Sequence, residues 1–468
     1  MDKPRGRVAA LLAVLAVVGV ACGARVDGQQ VQSLGAANTA RPGSATDANP
    51  AAGPGAGTDA GATATTVAAA GGSAVGSAGG GAAATATGSG DNGGAVDVGI
   101  TATTVTLGNV STLSGPVPGL FEGSVVGAQA VVAYENSIGG LFGRKFKLDV
   151  RDDQFDTGQN RAQTADLITK AFAFMGSFSL YDDAAAGQIQ ASGIPDASYP
   201  LSPGRKAIAN NFPVQPSRDG GAPTTGFQYF KSKFPDAVTK VGSLYGDVPA
   251  SKISHFGYQA AAESVGWHWV YERGIQPTET DFTADVIRMK QAGVKTLYLV
   301  STDDKTDARL AKAMQTQGFK PDLILANYYP TLPALAGSAV EGWNTASAYA
   351  LFDGADAGPV PEIALMNQWI QKVHPGYKTD LFAVNSWAEG RMLFQAMQAA
   401  GPKAKRADVI AALRKITDFS ANNMLSPSGP GVKRPSVCMV MAQIRSGRYV
   451  RTDPATGWIC NGTYHDSK

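Results

Sequence analysis

The sequence predicts an α/β fold of two parallel-sheet units set behind a long N-terminal segment that does not fold. Three observations predict it. From residue 98 onward, short β-rich runs alternate with helix-like segments. The alternation breaks near Pro216 and then restarts. Residues 23–97 hold no aromatic side chain, no Lys and no Glu. Strands alternating with helices of about 10–15 residues indicate parallel sheets, because the chain must cross back over the sheet before the next strand.

The first residues read as a secretory signal. Met1 to Arg7 are basic, with Lys3, Arg5 and Arg7, and residues 8–20 are almost wholly apolar. An apolar run of about 13 residues is too short to span a bilayer and suits a signal h-region. It ends Gly19-Val20-Ala21-Cys22-Gly23. Small residues before a Cys resemble a bacterial lipobox, with lipidation expected at Cys22. Gly19 departs from that pattern, which favours an aliphatic residue, and simple cleavage beside an incidental Cys is the alternative.

Residues 22–97 are expected to form a disordered tether of Gly, Ala, Ser and Thr, unable to bury enough surface to offset ordering entropy. Gly88-Ser89-Gly90-Asp91-Asn92-Gly93 matches G-x-G-x-x-G. It follows no strand and opens no helix, so it reads as chance. What remains is long enough for two sizeable cores. The net charge of +2 is carried by the signal segment. No basic stripe marks a nucleic-acid partner.

The first unit reads as a strand at 105–110, a helix at 121–136 and a strand at 145–150, then a helix at 161–169 and a strand at 171–175. The second reads as strands at 238–245, 267–272, 297–300 and 323–326. Helices at 251–265, 282–292 and 306–317 lie between them. Residues 437–444 and 448–451 form a hairpin around Ser446-Gly447.

Four stretches in order resemble the type I periplasmic-binding-protein fold, in particular the branched-chain amino-acid (Leu/Ile/Val) binding family of ABC-transporter receptors. The first runs from Leu113-Ser114-Gly115-Pro116 through Gly127-Ala128-Gln129, Asn136 and Gly139-Gly140 to Gly143-Arg144-Lys145. The second is Asp152-Asp153-Gln154-Phe155-Asp156. The third is Asp281-Phe282-Thr283-Ala284 with Ile287, Lys290 and Ala292-Gly293. The fourth leads from Ala388-Glu389-Gly390 to Ala400-Gly401.

The resemblance implies two doubly wound lobes joined by three crossovers, near Pro216, near Gly342 and within 423–435. The expected N-lobe is 98–216 with 343–430, and the C-lobe 217–342 with 431–468. It further implies a monomer that captures a small ligand and passes it to an ABC permease at the membrane. No cofactor and no metal are expected.

Ligands of open α/β sheets meet the carboxyl ends of the strands. The candidate contacts there are Ser114 and Gly115, Ser177, Phe178 and Ser179, and Ser198 and Tyr199 in the first lobe. In the second they are Tyr245, Asp303 and Tyr328, with Thr302 and Tyr329 beside them. Each has a plainer reading. Ser114 would shape a turn, Ser177 and Ser179 would cap a helix, and the tyrosines would be rim or core. Asp182-Asp183 and Asp303-Asp304 sit at expected helix starts, where carboxylates favour the dipole.

Amino-acid binders of the family tend to carry an acid after the strand at 323–326. This chain has Asn327-Tyr328-Tyr329-Pro330 instead. The ligand is therefore expected to be an amino acid or a related small molecule, and the Tyr-rich second lobe would also suit a neutral, amide or aromatic one.

With Cys22 lipidated, Cys438 and Cys460 are the pair left to form a disulfide, which an oxidising compartment permits. Two buried thiols are the alternative. Neither a nucleophile elbow, a Walker A loop, H-E-x-x-H nor C-x-x-C occurs. The four His residues are scattered. A surface sensor of the same fold, and more remotely an α/β hydrolase, are the other readings.

Overall fold

The computed structural model describes residues 91–276 and 278–466. The expected signal segment, Cys22 and the tether up to residue 90 lie outside the described residues.

The first sheet is built from β1 (Thr104–Ser111), α1 (Glu122–Ser137), β2 (Lys145–Asp152), α2 (Thr157–Ile168), β3 (Ala173–Met175), α3 (Ala186–Ser192), β4 (Asp196–Ala197) and α4 (Pro203–Ala207). Its strands run parallel in the order β2-β1-β3-β4. Central β1 buries Val105, Leu107, Asn109 and Val110, residues of both its faces. Burial on both faces is what a parallel sheet covered by helices requires.

The second unit begins with β5 (Ala222–Pro223), α5 (Thr225–Lys233), β6 (Val241–Gly246), α6 (Pro249–Glu263), β7 (Trp269–Ile275) and α7 (Thr283–Gln291). It continues with β8 (Thr296–Val300), α8 (Asp304–Thr316), β9 (Leu323–Leu325), α9 (Leu332–Ala336) and β10 (Asn344–Ser347). The chain then makes α10 (Pro361–Val373), α11 (Leu381–Ala400) and α12 (Arg406–Leu413), followed by β11 (Val440–Arg445), β12 (Arg448–Asp453) and β13 (Tyr464–His465). The second sheet has the order β12-β11-β10-β9-β8-β6-β7, parallel except for the terminal β11–β12 hairpin. β13 pairs with β5 in a separate ribbon.

Helices α10 and α11 return to the first sheet and pack on α1. Two glycines set how closely. A Cβ at Gly127 would lie 2.2 Å from the Ala383 carbonyl oxygen, and one at Gly390 would lie 2.4 Å from Val131. Two of the stretches that carried the sequence resemblance thus face each other in one helix contact.

Three segments cross between the lobes side by side. Ser426 N donates to Ala348 O (2.8 Å) and Ala350 N to Met424 O (3.0 Å). Gln215 Nε2 donates to Ser426 O (2.8 Å) and Ser428 Oγ to Val214 O (2.6 Å). Two expectations need correction here. The second crossing lies beyond β10, at 348–351, and not near Gly342, because residues 344–347 extend the second sheet.

The tether was expected to end at residue 97, yet residues 91–97 belong to the folded body. Buried Arg144 takes the carbonyls of Asn92 and Gly94, along with those of Thr101 and Pro402. A guanidinium carries five donors, and this one meets no carboxylate among the described residues, so backbone carbonyls satisfy it.

Candidate functional site

In the first lobe the loops after β1, β3 and β4 are laced together by side chains. Val110 N donates to Ser177 Oγ (3.1 Å), and Ser177 N to Ser198 Oγ (3.2 Å). Phe178 N donates to Ser111 Oγ (3.1 Å), while Thr112 N donates to Phe178 O (2.9 Å). The structure therefore brings Ser177, Phe178, Ser198 and Tyr199 together. Neither Ser177 nor Ser179 caps the following helix, whose cap is Ala185.

Ser114 and Ser179 are committed elsewhere. Ser114 Oγ donates to Asp152 Oδ2 (2.5 Å), and Leu113 N and Ser114 N reach Asp152 Oδ1. Burial pushes the Asp152 carboxyl up. These donors and Gln154 N outweigh it, holding the group below the usual carboxylate range. Ser179 Oγ donates to Asp153, and Asn160 Nδ2 donates to both. The acidic pair after β2 is thus a bracket for the β1 and β3 loops. Gly115, at φ 107°, packs against Phe155, where a Cβ would lie 2.7 Å from that residue's Cβ.

Aromatic rings supply the apolar surface. Tyr199 stacks on Phe178 with centroids 5.3 Å apart and planes 5° apart. Phe121 and Phe382 close on Phe178 at 5.7 and 5.2 Å. A cavity of about 10 Å³ lies behind this group, between Asn160, Ser177, Ser179 and Tyr199. That volume holds one water at most.

Near Tyr199 the structure gathers residues that sequence reasoning missed. Burial raises the Tyr199 hydroxyl well above its ordinary value, and the nearby Tyr349, Tyr258 and Tyr464 hydroxyls and Glu389 add to this. Tyr349 stands on the second crossover, Tyr258 on α6 and Tyr464 on β13. Asn385 Nδ2 donates to the Tyr349 hydroxyl (2.8 Å). Glu389, one turn later, is fully buried, and neither carboxyl oxygen has a hydrogen-bond partner among the described residues. Burial, then the charge of Asp196, raises its carboxyl well above the ordinary value. These positions lie far apart in sequence, on four different elements. Only Glu389 carried a sequence signal, through the late-helix resemblance.

The second lobe brings fewer of its candidates to bear. Tyr245 stacks on buried His255 (4.0 Å, 11°) at the end of β6. Asp303 takes the capping role: it accepts from Lys305 N, Thr306 N and Thr306 Oγ1 at 3.0, 2.9 and 2.6 Å. Tyr328 is core, wedged between Phe352 and Tyr449, its hydroxyl accepting from Asp353 N (3.1 Å). Asp303 thus serves its own helix and Tyr328 the packing around it. Tyr329 instead donates to Thr302 O (2.5 Å) beside Asn327. Asp307 is fully buried beneath them. Burial raises it to about 8, against the pull of nearby Thr302, with Asp303 and Asp304 repelling its charged form.

The sequence model of the family described as "Periplasmic binding protein" matches residues 104–448, well over half of the chain. A Leu/Ile/Val-binding protein homolog 1 of Brucella suis is 26% identical over 285 residues, 59% of this chain and 73% of that protein. Among solved structures, a branched-chain amino-acid ABC transporter protein from Thermus thermophilus with bound valine aligns at TM-score 0.66 and 18% identity. The alignment covers 77% of this chain and 97% of that one. A fatty acid ABC transporter substrate-binding protein from Thermomonospora curvata aligns at 0.65 and 22%, covering 78% and 94%. An R. palustris solute-binding protein in complex with 4-hydroxybenzoate aligns at 0.62 and 18%, covering 76% and 97%. At these identities the structural likeness is one of fold.

Proposed function

The chain belongs to the periplasmic binding protein family, with its type I, Leu/Ile/Val-binding-like architecture, and from that premise we propose that it captures a small solute between its lobes for an ABC importer. The family is one of extracytoplasmic solute binders, and no helix among the described residues is long and apolar enough to cross a membrane. In our reading the protein is secreted, held to the outer membrane face through Cys22, and works as a monomer beside a permease. The N-lobe is 98–216 with the returning helices, and the C-lobe is 217–347 with 431–468.

One observation carries the reading. Tyr199, stacked on Phe178 at the first sheet's carboxyl edge, is influenced by the hydroxyls of Tyr349 on a crossover and of Tyr258 and Tyr464 in the second lobe. Such a place offers a ring surface and neutral O–H donors, the few convergent polar groups in an apolar setting that ligand sites share. Asn327, Tyr328 and Tyr329 stand where an acid would hold an ammonium group, and Asp303 is spent on its helix. The favoured ligand is therefore a small molecule related to an amino acid but without need of an ammonium partner, an acid or amide whose apolar or aromatic body lies on Tyr199 and whose oxygens accept from tyrosine hydroxyls.

A thermal-shift panel of amino acids, amides and aromatic acids on the mature chain tests this. A true ligand at 100 times its Kd should stabilise by about 2.7 kcal/mol. If no compound shifts the melting temperature, or the best binder is indifferent to Tyr199→Ala, the assignment fails.

A further inference from the structure

Asparagine followed by glycine is especially prone to modify itself, because glycine has no Cβ to shield its amide nitrogen from the asparagine side chain. The sequence holds two such pairs, Asn92-Gly93 and Asn461-Gly462. The structure treats them differently. Asn92 Nδ2 donates to Ala102 O (2.8 Å) and Phe142 O (3.0 Å), and Asn92 Oδ1 accepts from Gly94 N (3.1 Å). Gly93 N donates to Asp91 Oδ1 (2.9 Å). Carboxamide and backbone nitrogen are both engaged there. Asn461 is exposed, and its side chain has no hydrogen-bond partner among the described residues.

One hydrogen bond restrains the backbone nitrogen of the second pair. Gly462 N donates to Thr225 Oγ1 (3.2 Å), whose own hydrogen goes to Val437 O (2.5 Å). The glycine is pressed against that residue: a Cβ at Gly462 would lie 2.3 Å from Thr225 Oγ1 and 2.5 Å from Thr225 N. The backbone is pinned on both sides of it. Before it, a disulfide joins Cys460 to Cys438, and Met439 and Ile459 exchange backbone hydrogen bonds at 2.8 and 2.9 Å. After it, Thr224 N donates to Thr463 O (2.8 Å), Thr463 N returns a bond to Thr224 Oγ1 (2.9 Å), and β13 pairs with β5.

We propose that Asn461-Gly462 is a self-modification site, and that docking of the tail on Thr225 sets its rate. Gly462 N attacks Asn461 Cγ, its hydrogen leaves with the carboxamide nitrogen as ammonia, and a cyclic imide closes. Water then adds to either imide carbonyl and opens the ring to aspartate or isoaspartate, with no oxidation or reduction. In the isoaspartate the main chain runs through the former side chain and is longer by a carbon between Cys460 and Thr463. The tight fit of Gly462 on Thr225 leaves no room for that carbon. The product therefore cannot keep the disulfide, the Thr225 contact and the β5–β13 pairing together. Docking and reaction oppose each other: the docked tail holds the attacking nitrogen, and the reacted tail lets go of β5.

The test holds the full mature chain at mildly alkaline pH and follows both pairs by peptide mapping and mass spectrometry. The readouts are the mass gain of an amide converted to an acid and the isoaspartate content. Each native rate is divided by the rate of the same chain in guanidinium chloride, and Asn92 should be held back far more than Asn461. Thr225→Val, which keeps the side-chain shape and removes the acceptor, should raise the Asn461 rate about fivefold, the worth of one hydrogen bond. Cys438→Ser/Cys460→Ser should also raise it and leave Asn92 unchanged. The converted fraction, isolated by anion exchange, should show faster amide hydrogen exchange at 222–225 and 463–466. If native Asn461 stays intact, or Asn92 is held back no more than Asn461, the site assignment falls. Equal Asn461 rates in wild type, Thr225→Val and the disulfide-free chain would show that docking does not set the rate. Unchanged exchange in the converted fraction would overturn the release of the tail.

Discussion

The ring of Tyr199 lies flat on that of Phe178, with centroids 5.3 Å apart and planes 5° apart. The stack joins the loop after β3 to the loop after β4, and Ser177 N to Ser198 Oγ fixes the same pair of loops below it. The rings of Phe121 and Phe382 also close on Phe178.

Tyr199 should therefore fail in two separable ways. Tyr199→Phe keeps the stack and removes the hydroxyl. Tyr199→Ala removes both, and with them an aromatic contact worth about 0.5–1.5 kcal/mol beyond its area. Calorimetric titration with the panel's best binder should rank wild type above Phe above Ala. Equal affinity for the Phe and Ala variants would mean that the ring carries none of the binding.

The α1–α11 contact should tolerate no added volume at Gly127. A Cβ there meets the Ala383 backbone at 2.2 Å, in the capped first turn of α11, which is held by Asp380 and has little room to move. Gly127→Val is expected to cost at least the 1–3 kcal/mol typical of overpacking, read as a lower urea midpoint at unchanged slope. Gly187 has open space around its Cβ position. Gly187→Ala should be neutral or mildly stabilising, because glycine is costly inside a helix.

Much of this architecture was legible, because its rules are local. Alternation of β-rich and helical runs gave the parallel sheets, and Ser446-Gly447 gave the terminal hairpin. The sequence also led to Ser177, Phe178, Ser198 and Tyr199, since ligand loops of open α/β sheets follow the strands. It could not lead to Tyr258, Tyr349 and Tyr464. Those lie on a helix, a crossover and a tail, and only the tertiary fold makes them neighbours. Asp303 and Tyr328 went the other way. Each was expected as a ligand contact, and the structure gives each a local role: the first turn of α8 for Asp303, the space between Phe352 and Tyr449 for Tyr328. The acidic pair Asp152-Asp153 similarly showed no local sign that loop amides and hydroxyls were its partners.

Asp307 predicts a pH dependence whose sign follows from its burial. The unfolded carboxyl ionises near 3.8 and the folded one at about 8. Between those values the native state keeps a proton that the unfolded chain has lost. The group's contribution is full below the lower value and declines as pH rises toward the upper one, by up to about 1.4 kcal/mol per unit. Asp307→Asn has no proton to lose. Urea unfolding at a series of pH values from about 5 to 7 should show the variant gaining on wild type as pH rises. Parallel curves would mean that the folded carboxyl is already ionised.

Arg144 fixes where the tether leaves the folded body. Its guanidinium is buried and spends its donors on carbonyls of Asn92, Gly94, Thr101 and Pro402, so it fastens residues 91–97 to the start of β1 and to the α11–α12 turn. Lysine cannot replace a planar fork that reaches four carbonyls in different directions. Arg144→Lys and Arg144→Met should therefore both release the 91–97 segment, with Met costing less than an unsatisfied buried charge. Limited proteolysis with a broad-specificity protease reads this directly. Wild type should be trimmed to a body that keeps residues 91–97, and the variants to one that begins closer to β1. Ligand affinity should stay near wild type, because the clamp sits at the amino ends of the strands, opposite the edge that carries Tyr199. Loss of binding in a folded Arg144→Met protein would show that the two ends of the first lobe are coupled.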